Sequence, residues 1–417
     1  MRRELLRALG PGVLFTGAAV GVSHLVQSTR AGAVYGLALA GLVVLANLVK
    51  YPAFRFGPMY AAATGTSMLE GYRRQGRWAL VLYGLLTLGT MFTVQAAVTI
   101  VTAGLAGALF GLDASPLVIS GGLLVVCAGL VATGGYRALD KVGKVIVAFL
   151  AVSTLLATAL VLPRIAWSEQ VWWPSRFEPA DIAFMAALVG WMPSAIDVSV
   201  WQSLWTLARG SETGGRSEAK ASSVDFHIGY VGTAVLAVCF VLLGAAVLHG
   251  DGAREIPERP VAFAALVISV YVDALGEWSR PLIGGAAFAT MFSTTLTVVD
   301  GFPRAIAVLV ERLRSEETPD AAGTSDRTPA YWGALGVLFV GSLVLLGVFA
   351  ESMKALIDLA TTLSFLSAPV LSFLNHRAVT SADVPEGARP AKWLVASSWV
   401  AIALQAAFAI AFVVLIS

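Results

Sequence analysis

The sequence predicts an all-α integral membrane protein with eleven spanning helices, the first and sixth of them broken. Three observations lead there. The 417 residues are 57% hydrophobic and only 13% charged, against roughly 25% charged in soluble domains. Apolar runs of about 20 residues, the length that crosses a bilayer, recur along the whole chain. Two of those runs are interrupted at depths where irregular backbone is tolerated only if it is buried in protein or lines a cavity.

The runs cover 12–35, 36–62, 79–111, 115–133, 142–163, 180–207, 226–249, 281–310, 331–350, 354–374 and 392–416. The first is interrupted at Gly21-Val22-Ser23-His24 and carries Arg30 six residues after His24. The second holds Lys50 and Arg55, which read as marking its inner end with their charged heads reaching toward water. The third has no charged residue from Trp78 to Gly111, and Gln95 is its most polar member. The fourth and fifth are continuous. The sixth run begins near Ile182 and is interrupted at Gly190-Trp191-Met192-Pro193-Ser194, with Asp197 close behind. The seventh and ninth are again continuous. The eighth carries Ser293, Thr294 and Asp300, and the tenth carries Asp358 followed by Thr361, Thr362 and Ser364. A shorter stretch, Val261 to Leu275, contains Asp273 and reads as a helix packed in an outer loop.

Helices one to five and six to ten form two halves, each opening on a broken helix. An odd number per half requires opposite topologies in the membrane, and paired breaks in two such halves point to a transporter's binding site. A local echo supports the pairing: Val26-Gln27-Ser28 follows the first break and Trp201-Gln202-Ser203 the second. The chain is thus one transmembrane domain, with a first repeat over about 10–163, a second over about 180–375 and an appended helix at 392–416.

Basic residues set the orientation. With the N-terminus inside, 19 of the 28 Lys and Arg residues fall in cytoplasmic segments, among them Arg2, Arg3, Arg7, Arg216 and Arg327. Six are external, including Arg176 and Arg254. The expected location is the inner (cytoplasmic) membrane, multi-pass, N-terminus cytoplasmic and C-terminus external. Met1 to Leu9 reads as the start of an uncleaved first helix. The polar stretches Gly210–Ser223, Ser315–Thr328 and Thr380–Pro390 read as cytoplasmic loops. Cys127 and Cys239 sit in apolar spans and read as buried small hydrophobes. The net charge of +2 follows topology and gives no nucleic-acid footprint. The lipid bilayer and a small-ion substrate are the expected partners, with a monomer favoured and a homo-oligomer left open. No nucleophile elbow, metal-ligand spacing or phosphate loop argues for an enzyme.

Several motifs are more specific. Gly10-Pro11-Gly12, the four-residue break, Ala31-Gly32-Ala33-x-Tyr35-Gly36, Leu45-Ala46-Asn47-Leu48, Met192-Pro193 and Ser293-Thr294-Thr295 together resemble the Nramp family of metal transporters. The resemblance spans most of the chain and implies the LeuT-type inverted repeat. Departures fall on the residues that carry that family's chemistry. Its first break reads Asp-Pro-Gly-Asn, so the metal-binding carboxylate is replaced by Gly21 and the Asn ligand by His24. Its soft ligand is kept as Met192, the following His becomes Ser194, and the acidic proton path on helix three has no counterpart.

A divalent cation is costly to dehydrate without anionic ligands. Half-helix N-termini attract anions, and charges within spans are functional hypotheses by default. The resulting expectation is a site inverted from negative to neutral or positive, moving a small anion such as bicarbonate by alternating access. The substrate-binding candidates are Gly21, Ser23, His24, Gly190, Met192, Ser194 and Gln95. Electrostatic or gating candidates are Arg30, Lys50, Asp197 and Asp358, with an Arg30–Asp197 ion pair as one reading. Ser293 and Thr294 are the candidate ligands of a coupling Na⁺; no other cofactor and no confident metal ligand are expected. Two alternatives stay open: a divalent metal ion transporter with an altered site, and a transporter of a small organic substrate such as an amino acid or amine. For the latter, Trp191 and Trp201 would supply an aromatic wall and Asp197 would meet an ammonium group.

Overall fold

The structure is a computed structural model that describes residues 10–133, 136–165, 167–174, 177–212, 219–250, 257–314, 328–349 and 352–416. Arg2, Arg3, Arg7, Arg176, Arg216, Arg254 and Arg327 lie outside the described residues, as do 315–327 and the centre of the 210–223 loop. Among the described residues the regular structure is helical throughout.

Helix α1 (Pro11–Ala19) opens with Pro11 in its first turn, where a missing N–H costs nothing. Its N-terminus is held from a distant part of the chain. The Gly10 and Gly12 amides donate to the Asp225 carboxylate at 3.0 and 2.6 Å. The helix ends at Val20, and after Gly21 the chain resumes as a π-helical segment, Ser23–Ser28, that runs into α2 (Thr29–Tyr35). Ser23 Oγ donates to the Ala19 carbonyl across this interruption at 2.5 Å, satisfying one of the groups the break leaves free. The first break is therefore at Val20-Gly21, slightly ahead of its expected place.

Helices α3 (Ala40–Thr64), α4 (Met68–Gln75), α5 (Arg77–Phe110), α6 (Pro116–Thr133) and α7 (Tyr136–Val161) follow. The second half opens with α8 (Pro179–Gly190), started by a reciprocal Glu178–Asp181 capping box. Irregular backbone over 191–196 separates it from α9 (Asp197–Glu212). Then come α10 (Ala219–Leu248), α11 (Pro260–Leu275), α12 (Arg280–Arg314), α13 (Pro329–Val348), α14 (Met353–Val379) and α15 (Lys392–Ile416).

Eight of these helices are long and apolar enough to cross a membrane. The two broken pairs, α1/α2 and α8/α9, and α3 with its Lys50 and Arg55 complete the expected eleven spans. The short apolar helix α11 packs against α5, α7 and α12, consistent with its reading as an accessory element. Burial sorts the spans into two layers. The apolar window of α5 is 83% buried and that of α12 67%, whereas those of α6, α13 and α15 are 17%, 28% and 28%. The inner layer explains why α5 carries no charge after Arg77 at its first position: an unpaired charge there would have no water to reach. Both cysteines are buried and unbridged, as expected.

Outside the spans, α4 is tied down by charge. Ser67 caps it, accepting from the Glu70 amide. The Glu70 carboxylate accepts from Arg73 at 2.7 Å and Arg74 at 3.0 Å, with Arg312 Nε at 3.6 Å. Burial works to raise the Glu70 pKa, but the hydrogen bonds from Arg73 and Arg74 and the charges of Arg73 and Arg312 outweigh it, holding the carboxyl below its usual value. A carboxyl depressed on folding stabilises the fold above its unfolded pKa of about 4.3, and that contribution is lost as pH falls through the folded pKa. The melting temperature should therefore drop below about pH 4.3. In Glu70→Gln that part of the acid limb should flatten, as read by thermal unfolding in detergent across pH 3–7.

Candidate functional site

A small cavity lies where the two breaks face each other. Its polar wall is Ser23 after the first break, Ser194 within the second, Asp197 just after it, and Thr294 of α12. The Trp191 and Trp201 side chains border the same space, with valines 94, 98 and 298 and Phe302 closing its apolar side. An apolar enclosure with a few convergent polar groups is the usual form of a small-molecule site.

The expected residues divide. Ser23, Ser194, Asp197 and Thr294 line the cavity, while Gly21, His24, Gly190, Met192 and Gln95 do not. Gly21 packs against α12: a Cβ there would stand 3.1 Å from Thr294 Cγ2 and 3.2 Å from its Oγ1. A side chain at this position would have to displace Thr294. His24 is fully buried, its Nδ1 paired with Ser23 Oγ at 2.7 Å and its Nε2 with the Thr233 carbonyl at 2.9 Å. Nε2 joins the π-helical segment to α10, while Nδ1 is held within the segment by Ser23, so both ring nitrogens are engaged in packing. Gly190 lies at a helix crossing, where a Cβ would stand 2.0 Å from the Thr361 carbonyl oxygen of α14. Met192 is completely buried in an apolar cluster with Leu37, Phe184 and Phe365, away from the cavity. Gln95 donates to Thr99 Oγ1 at 2.9 Å along its own helix.

The buried cations stand differently from their expected places. Arg30 pairs with Asp358 of α14, not with Asp197: Nη1 donates to Oδ1 at 2.7 Å and Nη2 to Oδ2 at 3.3 Å. Asp197 lies at the start of α9, beyond the second break, whereas the Asp358 side chain of α14 reaches the guanidinium. The guanidinium also donates to Gln27 Oε1 at 2.8 Å and lies 4.8 Å from the Phe184 ring centroid. Lys50 does not reach toward water. It is 1% exposed, and its ammonium donates to the carbonyls of Val189, Gly190 and Ser194 at 2.6, 2.7 and 3.2 Å. Tertiary packing overrides the snorkelling expectation because the end of α8 offers carbonyls with spare acceptor capacity at that depth, Val189 accepting also from the Met192 amide at 3.2 Å. Asp300 accepts from Arg304 at 3.0 Å and from the Tyr331 hydroxyl at 3.0 Å, a local brace for α12 and α13.

With both basic side chains engaged, the charged group on the cavity wall is a carboxylate. Asp197 is 1% exposed, and neither oxygen has a hydrogen-bond partner. A buried carboxyl group without a partner is costly to hold in the protein interior. Trp191 beside it is fixed by its own donor, Nε1 to Ser364 Oγ at 2.8 Å. Trp201 packs edge-on to Phe302 at 4.8 Å, and its Nε1 has no partner. Thr294 Oγ1 donates to the Gly17 carbonyl of α1 at 2.7 Å, bringing a hydroxyl and a carbonyl from two helices together next to the first break. Ser293 Oγ faces the same helix, 3.9 Å from a Cβ built at Gly17.

Gln27 was not among the expected site residues. It links Arg30 to Asp358 (Nε2 to Oδ1, 3.3 Å) and to Thr361 Oγ1 (3.4 Å). Its signal in the sequence was its place three residues before a charged residue in a span, on one helix face. Thr361 and Ser364 of α14 thus brace the two breaks, Thr361 through Gln27 and Ser364 through Trp191. Among the described residues no group of three or more His, Cys, Asp or Glu side chains is placed to hold a metal ion.

Comparison with known proteins completes the description. The family profile described as natural resistance-associated macrophage protein-like, Nramp, matches residues 12–415. An uncharacterised protein of Pasteurella multocida (strain Pm70) is 35% identical over 378 residues, covering 88% of this chain and 84% of its own. A variant of the Eremococcus coleocola manganese transporter superposes with a TM-score of 0.68 at 14% identity, over 97% of this chain and 85% of the other. MhsT in complex with L-phenylalanine gives 0.65 at 12% identity, over 98% of both chains. At such identities the two solved structures establish the fold alone.

Proposed function

This chain belongs to the Nramp family and is a LeuT-fold, multi-pass secondary transporter, and from that premise we propose that its substrate carries an ammonium group. The observation that supports this reading is Asp197. It is a buried, unpartnered carboxylate on the wall of the cavity between the two breaks, next to two indoles. A carboxylate supplies the counter-charge, and tryptophan faces attract cations, more strongly in a desolvated site. Ser194 supplies a hydroxyl for the remaining donors or acceptors of a small organic molecule, whereas the Ser23 hydroxyl is already engaged by the Ala19 carbonyl and His24.

The bicarbonate expectation rested on a positive or neutral site. Arg30 and Lys50, its sources of positive charge, are bound to Asp358 and to main-chain carbonyls, and neither lines the cavity. An anion at this site would meet Asp197 unshielded. The metal alternative is weakened from the other side, because a single carboxylate faces the cavity and Met192 is packed elsewhere. Sodium coupling is part of the proposal. The Thr294 hydroxyl, the Gly17 carbonyl and Ser293 converge where the first break leaves backbone oxygens free. The Arg30–Asp358–Gln27 cluster, on the far side of the first break from α1, is proposed as a closing element over the cavity.

The test is flux into proteoliposomes of purified protein. Radiolabelled small amines and amino acids, bicarbonate followed with an internal pH dye and Mn²⁺ followed with an internal metal dye are each run with and without a Na⁺ gradient. Saturable amine or amino-acid uptake, driven by Na⁺, is the expected result. Bicarbonate or Mn²⁺ flux without amine flux would overturn the reading.

A further inference from the structure

The strongest polar arrangement outside the cavity is the one around Lys50. An ammonium has three N–H donors and no acceptor, and here each donor has a main-chain carbonyl, from Val189, Gly190 and Ser194. The first two belong to the last turn of α8, whose final carbonyls have no partner within the helix. The third comes from the irregular segment that leads to α9. These oxygens therefore bracket the second break, and one side chain from α3 ties its two sides together. Two of the distances, 2.6 and 2.7 Å, are at the short end expected for charge-assisted hydrogen bonds. The ammonium also sits at the C-terminal, negative end of the α8 dipole. The same break carries Trp191, Ser194 and Asp197 into the cavity.

We propose that the carbonyls of Val189, Gly190 and Ser194 form a monovalent-cation site filled permanently by the chain's own Lys50 ammonium, which positions the second break. Lys50 is thus a positioning residue. It touches no cavity surface, yet it fixes the backbone from which the cavity's tryptophan, hydroxyl and carboxylate project. The site needs a compact cation with donors pointing three ways. A guanidinium, planar and wider, does not match three carbonyls gathered around one nitrogen. The inference is independent of what the cavity binds, and it predicts a specific kind of repair. Removing the lysine stem leaves a channel of known length leading to an empty carbonyl cage. A linear alkylammonium ion of the deleted length refills both.

The experiment uses full-length protein in detergent carrying Lys50→Ala, with Asp197→Asn in the same chain so that added amines have no carboxylate to bind in the cavity. Melting temperature is followed against n-propylammonium chloride, which replaces the three carbons and the ammonium that the alanine lacks. Tetramethylammonium chloride at equal ionic strength is the control. Lys50→Ala should lower the melting temperature. n-Propylammonium should then raise it saturably by about 3 °C or more, whereas tetramethylammonium should not, and Asp197→Asn alone should respond to neither. A Lys50→Ala chain as stable as its parent, or one that melts lower and is insensitive to every cation, would overturn the proposal. Should Lys50→Ala not fold, reductive methylation of the wild-type protein decides. Lys50 should stay unmodified under conditions where Lys354 and Lys392 react fully. Modification of Lys50 at their rate would mean that the cage is open and would also overturn it.

Discussion

Asp197→Asn should abolish saturable uptake while raising the melting temperature of the substrate-free protein. The two effects have one cause. In the empty site the carboxylate is buried without a hydrogen-bond partner, and an uncompensated buried charge costs about 3–5 kcal/mol, of which the neutral amide, still polar and unpaired, relieves a part. Its place in the first turn of α9 returns some of that through the helix dipole, about 0.3–1 kcal/mol. The desolvation cost is the larger of the two, so the amide should be the more stable side chain. With an ammonium substrate bound the order reverses, because removing one member of a buried charge pair costs about 2–5 kcal/mol. That corresponds to an affinity loss of roughly 30-fold to several thousand-fold. Paired measurements of melting temperature and uptake on the same preparation read both signs. A melting temperature that falls together with activity would mean that Asp197 holds the fold and does not await a substrate. Unchanged uptake would remove it from the site.

Gly190→Ala should lose folded protein, not affinity. A Cβ at this position would stand 2.0 Å from the Thr361 carbonyl oxygen and 2.9 Å from its carbon, both backbone atoms of α14. Overpacking a well-filled interior typically costs about 1–3 kcal/mol. Here neither neighbour can rotate away, so the cost should fall at or above the top of that range. The helices would have to part at the crossing where Lys50 binds the Gly190 carbonyl and Trp191 reaches Ser364. Ser194→Ala is the contrast. It removes a hydroxyl from the cavity wall without adding volume, so its melting temperature should stay near wild type while the half-saturation concentration for uptake changes. Yield by fluorescence-detected size exclusion and melting temperature separate the two. A well-folded Gly190→Ala with weakened uptake would restore glycine 190 to the substrate site, where its position in the sequence had placed it.

The architecture was legible because hydropathy and charge are summed over long windows. Apolar stretches near the length of a bilayer, two of them interrupted, are robust to the identity of any one residue. The local readings of Cys127 and Cys239 and the accessory helix at 260–275 rest on the same averaging. Site residues are less forgiving, because each depends on which way one side chain faces. His24 and Met192 occupy the segments expected to form the site, yet both turn into helix packing, one toward Thr233 and the other into an apolar cluster. Arg30 illustrates the same limit. A carboxylate partner was one reading of its depth in a span, but the choice between Asp197 and Asp358 depended on which carboxylate the fold brings within reach of the guanidinium.

By itself, then, the sequence determined that this protein is a bundle of spanning helices with two breaks and an inverted arrangement of halves. Patterning along one dimension carries that information, and the bilayer enforces it by penalising every unsatisfied backbone group. Only the tertiary structure decided which charged group faces the cavity. Burial leaves these two cations to acceptors within the protein: Asp358 and Gln27 for Arg30, and the carbonyls of Val189, Gly190 and Ser194 for Lys50. What remains on the cavity wall is the carboxylate of Asp197, and a list of charged residues cannot reveal which of them is left without a partner.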